Sequence, residues 1–173
     1  MTQALYLLLA IGIGAGSAIQ TGMVGSLARA RGPTEAAWIS IMASMAGLAL
    51  VLAFRSLRSA YAPSLPAPMN TLPFYLVATL LSFLSLAVAL RGVHWYLGIT
   101  GFFGIAYVVS AAFLAPRIGI ALFASAITAG TLFGAIALDQ MGAFGADPRP
   151  VSFLRLVGVL LLFIGVIVVR AGR

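Results

Sequence analysis

A chain of 173 residues has one domain's worth of length, and 62% apolar against 8% charged residues leaves too little polar surface to cover a water-soluble globule. The net charge of +7 comes from ten arginines and no lysine against Glu35, Asp139 and Asp147. Most of these charges sit where apolar runs end, and no basic stripe with interleaved aromatics is present, which excludes a nucleic-acid surface; the absence of cysteine excludes disulfides, zinc thiolates and thiol chemistry.

With a mean hydropathy of +1.14, most of the chain falls into runs of the roughly 20 residues that cross about 30 Å of hydrocarbon. The expected fold class is all-α, a polytopic integral membrane protein with one transmembrane domain over residues 1–173. The opening "MTQALY" has no basic n-region and the run after it is too long for a signal core, so a cleaved signal is not expected.

Six apolar runs follow in order. The first covers 4–27 and ends in "ARARGPT", where Gly32 and Pro33 break the helix and Thr34 is placed to cap the next. The second, 35–54, stops at "RSLRSAYAPSLPAPMNTLP", whose four prolines mark the one substantial loop. The third is "LPFYLVATLLSFLSLAVAL", 72–90, followed at once by Arg91 and His94. The fourth covers 95–115 and closes on "APRIG", a tight turn around Arg117. The fifth, 120–138, gives way to the turn-rich "DQMGAFGADPRP", and the sixth, 151–169, ends with Arg170 and Arg173.

The arginines bear on orientation. If all six runs cross, one side holds Arg55, Arg58, Arg117, Arg170 and Arg173 and the other Arg29, Arg31, Arg91, Arg149 and Arg155. If 72–90 does not cross, Arg91, Arg149 and Arg155 join Arg55 and Arg58, and the count is again five against five. Orientation follows an excess of Lys and Arg on the cytoplasmic side, so a tie predicts insertion both ways up; the competing reading is a weak bias set by one or two border residues.

Polar and small residues inside the runs are the next signal. Gly12, Gly16 and Gln20 recur every four residues on one stripe of the first helix. In lipid, close helix approach depends on small residues and occasional side-chain hydrogen bonds. The second helix offers Ser40, Ser44 and Gly47, the fourth Gly98, Gly101, Gly104 and Tyr107, and the fifth Ser125, Thr128, Thr131 and Gly134 with Gly130. The last has only Gly158 and Gly165 in a large aliphatic surface, which suits a peripheral or dimerising helix. The glycines are read as packing positions. Gln20 has two readings, a hydrogen bond to a neighbouring helix or contact with a solute in a water-filled cavity. Trp38, Trp95, Tyr96 and Tyr6 near run ends read as interfacial belt residues, and Asp139 as a helix terminus pairing with Arg149 or Arg155.

No carboxylate or lysine occupies mid-span, which disfavours a cation exporter driven by a buried glutamate. The only histidine, His94, lies in a short turn, and no nucleophile has a base beside it, so neither enzyme activity, nor a metal site, nor a cofactor is expected.

The strings "WYLGITGFFGIAYV", "APRIG", "ALDQMGAFG" and "RPVSFLRLVGVLLLFIGVIVV", with "AIQTGMVGSL" in the first helix, closely resemble the YdcZ-like family of the drug/metabolite transporter superfamily. The resemblance covers about four-fifths of the chain. It implies a small transporter of about five helices, half of a ten-helix inverted-repeat fold, in a bacterial-type cytoplasmic (inner) membrane. Two copies in opposite orientations would restore the symmetry, in keeping with the arginine tie. Val24 stands where the family often has asparagine, and Gly130-Thr131 where it often has Gly-Gln, so substrate identity does not carry over. Leu72 to Leu90 is extra to a five-helix pattern, leaving five or six crossings.

The expected function is therefore alternating-access transport of a small organic solute, by an antiparallel homodimer or by a heterodimer with a related chain. Gln20 would be the principal solute contact, and Tyr107, Ser40, Ser44, Thr128 and Thr131 secondary ones. The alternatives are a flippase for a lipid-linked substrate and a non-transporting subunit of a larger complex.

Overall fold

In the computed structural model, which describes residues 2–58 and 65–172, every one of the six apolar runs is helical. Part of the proline-rich loop, 59–64, and the terminal Arg173 of the charge count lie outside the described residues. The helices are α1 (Thr2–Arg31), α2 (Pro33–Leu57), α3 (Leu72–Ala89), α4 (Thr100–Ile118), α5 (Ile120–Met141) and α6 (Phe153–Ala171), with a 3-10 turn at Trp95–Ile99 leading into α4. All six are long and apolar enough to cross a membrane, the fourth counted with its leading turn. The chain is thus an all-α polytopic membrane protein with six candidate spans, one more than the resemblance implies.

Two local expectations are corrected. Thr34 does not cap α2: the cap is Gly32, at φ 96°, and Pro33 takes the first helical position, where its missing N–H is not needed. "APRIG" is not a turn from Ala115 onward, because α4 continues through Pro116 to Ile118 and the break falls at Gly119, at φ 82°.

The chain divides into two compact units, residues 27–105 and residues 1–26 with 106–173. In the first, α2 and α3 form an antiparallel pair. The buried side of α2 is a row of small residues, Ala36, Ala43, Ala46, Ala49 and Ala53 with Ile39, and α3 buries Tyr75, Ser82 and Leu86 on one stripe. Ala89 at the end of α3 lies beside Glu35 and Trp38 at the start of α2, and the Arg31 guanidinium donates to the carbonyl oxygen of Arg91. Arg31 and Arg91 are therefore at the same end, as the count with α3 crossing requires. At 18 residues α3 is about 27 Å long, close to the hydrocarbon thickness. The start of α4 packs on the middle of α2, where Gly101 meets the backbone of Ala43 and Ser44.

In the second unit the core is built by Leu7 and Ala10 of α1, Leu114 and Ile118 of α4, Leu122, Phe123, Ala126, Ile127 and Ala129 of α5, and Val166 of α6. The α1–α5 contact is backbone against backbone. A Cβ on Gly14 would strike the Ile127 carbonyl, and one on Gly130 the Ile11 carbonyl; one on Gly134 would come within 3.0 Å of Ala15 and Ala18. Beyond the end of α5 the Phe144 ring takes over, covering Gly22 of α1. Phe144 has a left-handed backbone (φ 59°) between Gly142 and Gly145.

The loop carrying Phe144 is tied to α5. Arg149 N–H donates to the Asp139 carbonyl at 2.8 Å, Val151 N–H donates to Gln140 Oε1 at 2.8 Å, and Arg155 pairs with the Asp139 carboxylate at 3.3 Å. The acid was expected to pair with Arg149 or Arg155; the side-chain partner is Arg155, while Arg149 uses its backbone. Both partners of the ion pair are about 40% exposed, so Asp139→Asn is expected to cost under about 1 kcal/mol in thermal unfolding in detergent, since the hydrogen bonds donated by the Arg149 and Val151 N–H groups remain. A larger loss would make the ion pair, rather than those ties, the loop's anchor.

α6 stands apart in burial. Only Val159 and Val166 are buried, one heptad apart, while Phe153, Leu154, Leu160, Leu161 and Ile167 are exposed. A helix this apolar and this uncovered faces lipid or another protein.

Candidate functional site

Hydroxyls in a helix commonly satisfy themselves by donating to the carbonyl one turn back, and that removes them as donors to a solute. This is what most of the candidate hydroxyls do. Thr128 Oγ1 donates to the Ala124 carbonyl at 2.9 Å, Thr131 Oγ1 to Ile127 at 2.9 Å, and Ser125 Oγ to Ala121 at 2.8 Å. Ser44 Oγ shares its proton between Ser40 O (2.9 Å) and Gly101 O (3.1 Å), so it joins α2 to α4 instead of waiting for a ligand. These groups retain lone pairs only.

Gln20 differs. Its side chain is half-buried on α1 and makes no hydrogen bond among the described residues. A primary amide carries two N–H donors and a carbonyl with two lone pairs, the largest unengaged hydrogen-bonding capacity of any candidate residue here. Tyr107 is 42% exposed, with its ring tilted against Phe123 at 6.3 Å, and its hydroxyl makes no hydrogen bond among the described residues. The half-buried Ser40 hydroxyl is likewise unengaged.

Within the unit of residues 1–26 and 106–173, the predicted residues point to different places. Within their unit, no hydrogen bond joins Gln20 to Tyr107, Thr128 or Thr131. Thr131 lies under Gly14, with its backbone nitrogen 2.9 Å from where a Cβ would be. Thr128 opens the other way, into a groove of about 330 Å³ between α5 and α6, lined also by Ala124, Ser125, Leu162, Gly165, Val166 and Val169. Ser40 and Ser44 belong to α2 in the other unit.

The glycines separate in the same way. Gly101, Gly130 and Gly134 are close-approach positions, and Gly98, in the 3-10 turn, is covered by the Leu90 side chain. Gly12 is exposed with nothing within 4 Å of a Cβ, whereas Gly16 and Gly104 are half-buried. The packed face of α1 is the row of Gly14, Ala18 and Gly22, the first two against α5 and the last under Phe144, roughly opposite the row of Gly12, Gly16 and Gln20. The amide therefore looks away from the α1–α5 seam.

Two buried polar atoms escaped the sequence reading. Tyr75 OH and Thr100 Oγ1 have no hydrogen-bond partner among the described residues, although their residues are 3% and 0% exposed. An unpartnered hydroxyl in an apolar interior is costly. Only Thr100 had a signal in the sequence, a hydroxyl beside the close-packing Gly101.

The chain matches the DMT_YdcZ family, described as "Putative inner membrane exporter, YdcZ", over residues 5–168. No curated protein and no solved structure matches it.

Proposed function

Because the chain belongs to the DMT_YdcZ family and is a membrane transporter of the drug/metabolite type, we propose that it moves a small organic solute across the inner membrane by alternating access, as an antiparallel pair of identical subunits. The observation that carries this reading is the Gln20 amide, half-buried in a span, on the face of α1 away from its packed seam, with its hydrogen-bonding groups unengaged. A neutral amide suits a neutral or weakly polar solute. With only Glu35, Asp139 and Asp147 as acids, the last two in or beside the α5–α6 loop, mid-span has no carboxylate to hold a bare cation. Gln20 from each copy binds the solute through its amide, and Tyr107 contributes a further contact through its hydroxyl.

The antiparallel arrangement is supported by the arginine tie, five on each side with α3 crossing. Single cysteines replacing Met69, between α2 and α3, and Ala146, between α5 and α6, report it by reaction with an impermeant thiol reagent in intact cells. Both positions are exposed and, with six crossings, lie on opposite sides. About half labelling at each is expected from the charge balance. Full labelling at one and none at the other overturns the dual orientation. Transport is tested with the purified chain alone in proteoliposomes: solute counterflow is expected, and its absence across a broad solute panel would favour a subunit that needs a larger partner.

A further inference from the structure

The α1–α2 turn and the end of α3 border an open pocket of about 270 Å³, lined by Arg31, Thr34, Glu35, Trp38, Ile39 and Ala89. That is slightly below the range of about 300–1,000 Å³ usual for drug-sized ligands. It holds one fixed positive and one negative group. Among the described residues Arg31 and Glu35 form no ion pair with each other, although they are four residues apart. The Gly32–Pro33 break prevents the helical i, i+4 pairing.

Two glycines in left-handed conformations set these charges in place. At Gly32 (φ 96°) the Glu35 carboxylate folds back to within 2.9 Å of where a Cβ would stand. At Gly92 (φ 81°) the Arg31 guanidinium approaches to 3.5 Å of the equivalent point, held by its hydrogen bond to the Arg91 carbonyl. A guanidinium has five N–H donors, so the tether leaves others for an anion. The pocket thus places a cationic and an anionic side chain together at the end of a span.

Its surroundings distinguish a lipid from a solute in water. Trp38 is 56% exposed one turn into α2, the level at which indoles sit in the membrane interface. Below it Ile41, Met45 and Leu48 continue along the same side of α2, all exposed, as a lane at the spacing of an apolar helix stripe. A headgroup in the pocket therefore has an apolar path for its acyl chain directly beneath.

We propose that this pocket binds the headgroup of a zwitterionic phospholipid with a primary amine, phosphatidylethanolamine, its phosphate on Arg31 and its ammonium on Glu35, with one acyl chain along Trp38, Ile41, Met45 and Leu48. The primary amine is selected because it donates N–H bonds to the Glu35 carboxylate and the Thr34 hydroxyl, whereas a choline group has no N–H to donate. The site is independent of the transport reading and stands or falls separately from it.

The test is native mass spectrometry of the purified chain in detergent, titrated with palmitoyl-oleoyl phosphatidylethanolamine, phosphatidylcholine or phosphatidylglycerol. Phosphatidylethanolamine is expected to bind about tenfold more tightly than either, the scale of one charge-assisted hydrogen-bonded contact. Glu35→Gln is expected to abolish the preference over phosphatidylglycerol, which has no ammonium, and Arg31→Gln to weaken all three. Arg170→Gln, at the end of α6, leaves the preference intact. Glu35→Gln retains the side chain's volume and the Arg31 tether, so its result stands even if Arg31→Gln unsettles the turn. Equal binding of the three lipids, an unchanged preference in Glu35→Gln, or displacement of the lipid by equimolar soluble phosphoethanolamine each overturns the proposal, the last by assigning the pocket to a solute from water.

Discussion

Gly130→Ala is expected to destabilise the folded chain by about 3 kcal/mol, the upper end of what overpacking costs, because the added methyl meets backbone that cannot rotate away. The new Cβ would stand on the Ile11 carbonyl oxygen and within 2.8 Å of its carbon. Relief requires α1 and α5 to separate along a seam that also holds Gly14 and Gly134. In lipid no hydrophobic force presses the helices together again, so the lost van der Waals contact is not recovered elsewhere. Gly14→Ala should cost a similar amount, with its Cβ striking the Ile127 carbonyl, and the pair should be non-additive, since the first substitution already opens the contact that the second would violate. Gly12→Ala, Gly158→Ala and Gly165→Ala, with nothing within 4 Å of the new carbon, should stay within about 0.5 kcal/mol of the parent. Unfolding in mixed micelles titrated with a denaturing detergent measures all five. A Gly130→Ala protein as stable as the parent would mean that the helices meet elsewhere. Parent-like stability of Gly158→Ala together with weakened self-association would place α6 between copies.

The same seam shows what the sequence could and could not convey. Each apolar run became a helix because length and hydropathy decide that almost alone in a membrane, and the ends moved by only a few residues; α1, for example, extends from the expected 4–27 to Thr2–Arg31. Which face of α1 packs was not legible. Gly12, Gly16 and Gln20 form a row at four-residue spacing, but so do Gly14, Ala18 and Gly22, on nearly the opposite side. Both rows are small, and only α5 distinguishes them. On α2 the buried row proved to be alanine rather than the hydroxyl row of Ser40 and Ser44, because alanine permits close approach without needing a hydrogen-bond partner. The hydroxyls were visible as residues, but whether their protons were free depends on rotamer, and in Thr128 and Thr131 the carbonyl one turn back takes the proton. The antiparallel return of α3 along α2, left open by a charge count that ties either way, is fixed by contacts distant in sequence such as Arg31 with Arg91.

Gln20→Leu is expected to lower the initial transport rate at subsaturating solute by about 10- to 100-fold, as each amide withdrawn from a desolvated solute removes roughly 1.4 kcal/mol and a symmetric pair withdraws two. Stability should not fall with it. The amide has no partner among the described residues, and leucine is the more favourable residue in lipid, so unfolding should be unchanged or slightly harder. That combination separates solute contact from the packing reading of the same residue. If Gln20 instead hydrogen-bonds Gln20 or a backbone group of the other copy, Gln20→Leu weakens dimerisation, and the lost rate returns when protein density in the vesicle is raised. Dimers of one parent and one Gln20→Leu subunit, isolated through two different affinity tags, sharpen the distinction. A shared solute site loses one amide in the mixed dimer and should fall near the geometric mean of the two homodimer rates. Two independent sites, one per subunit, would give their arithmetic mean, close to half the parent rate. Parent-level transport by the Gln20→Leu homodimer would remove this residue from the mechanism, and Tyr107, the other candidate in that unit with an unengaged donor, would be the next to substitute.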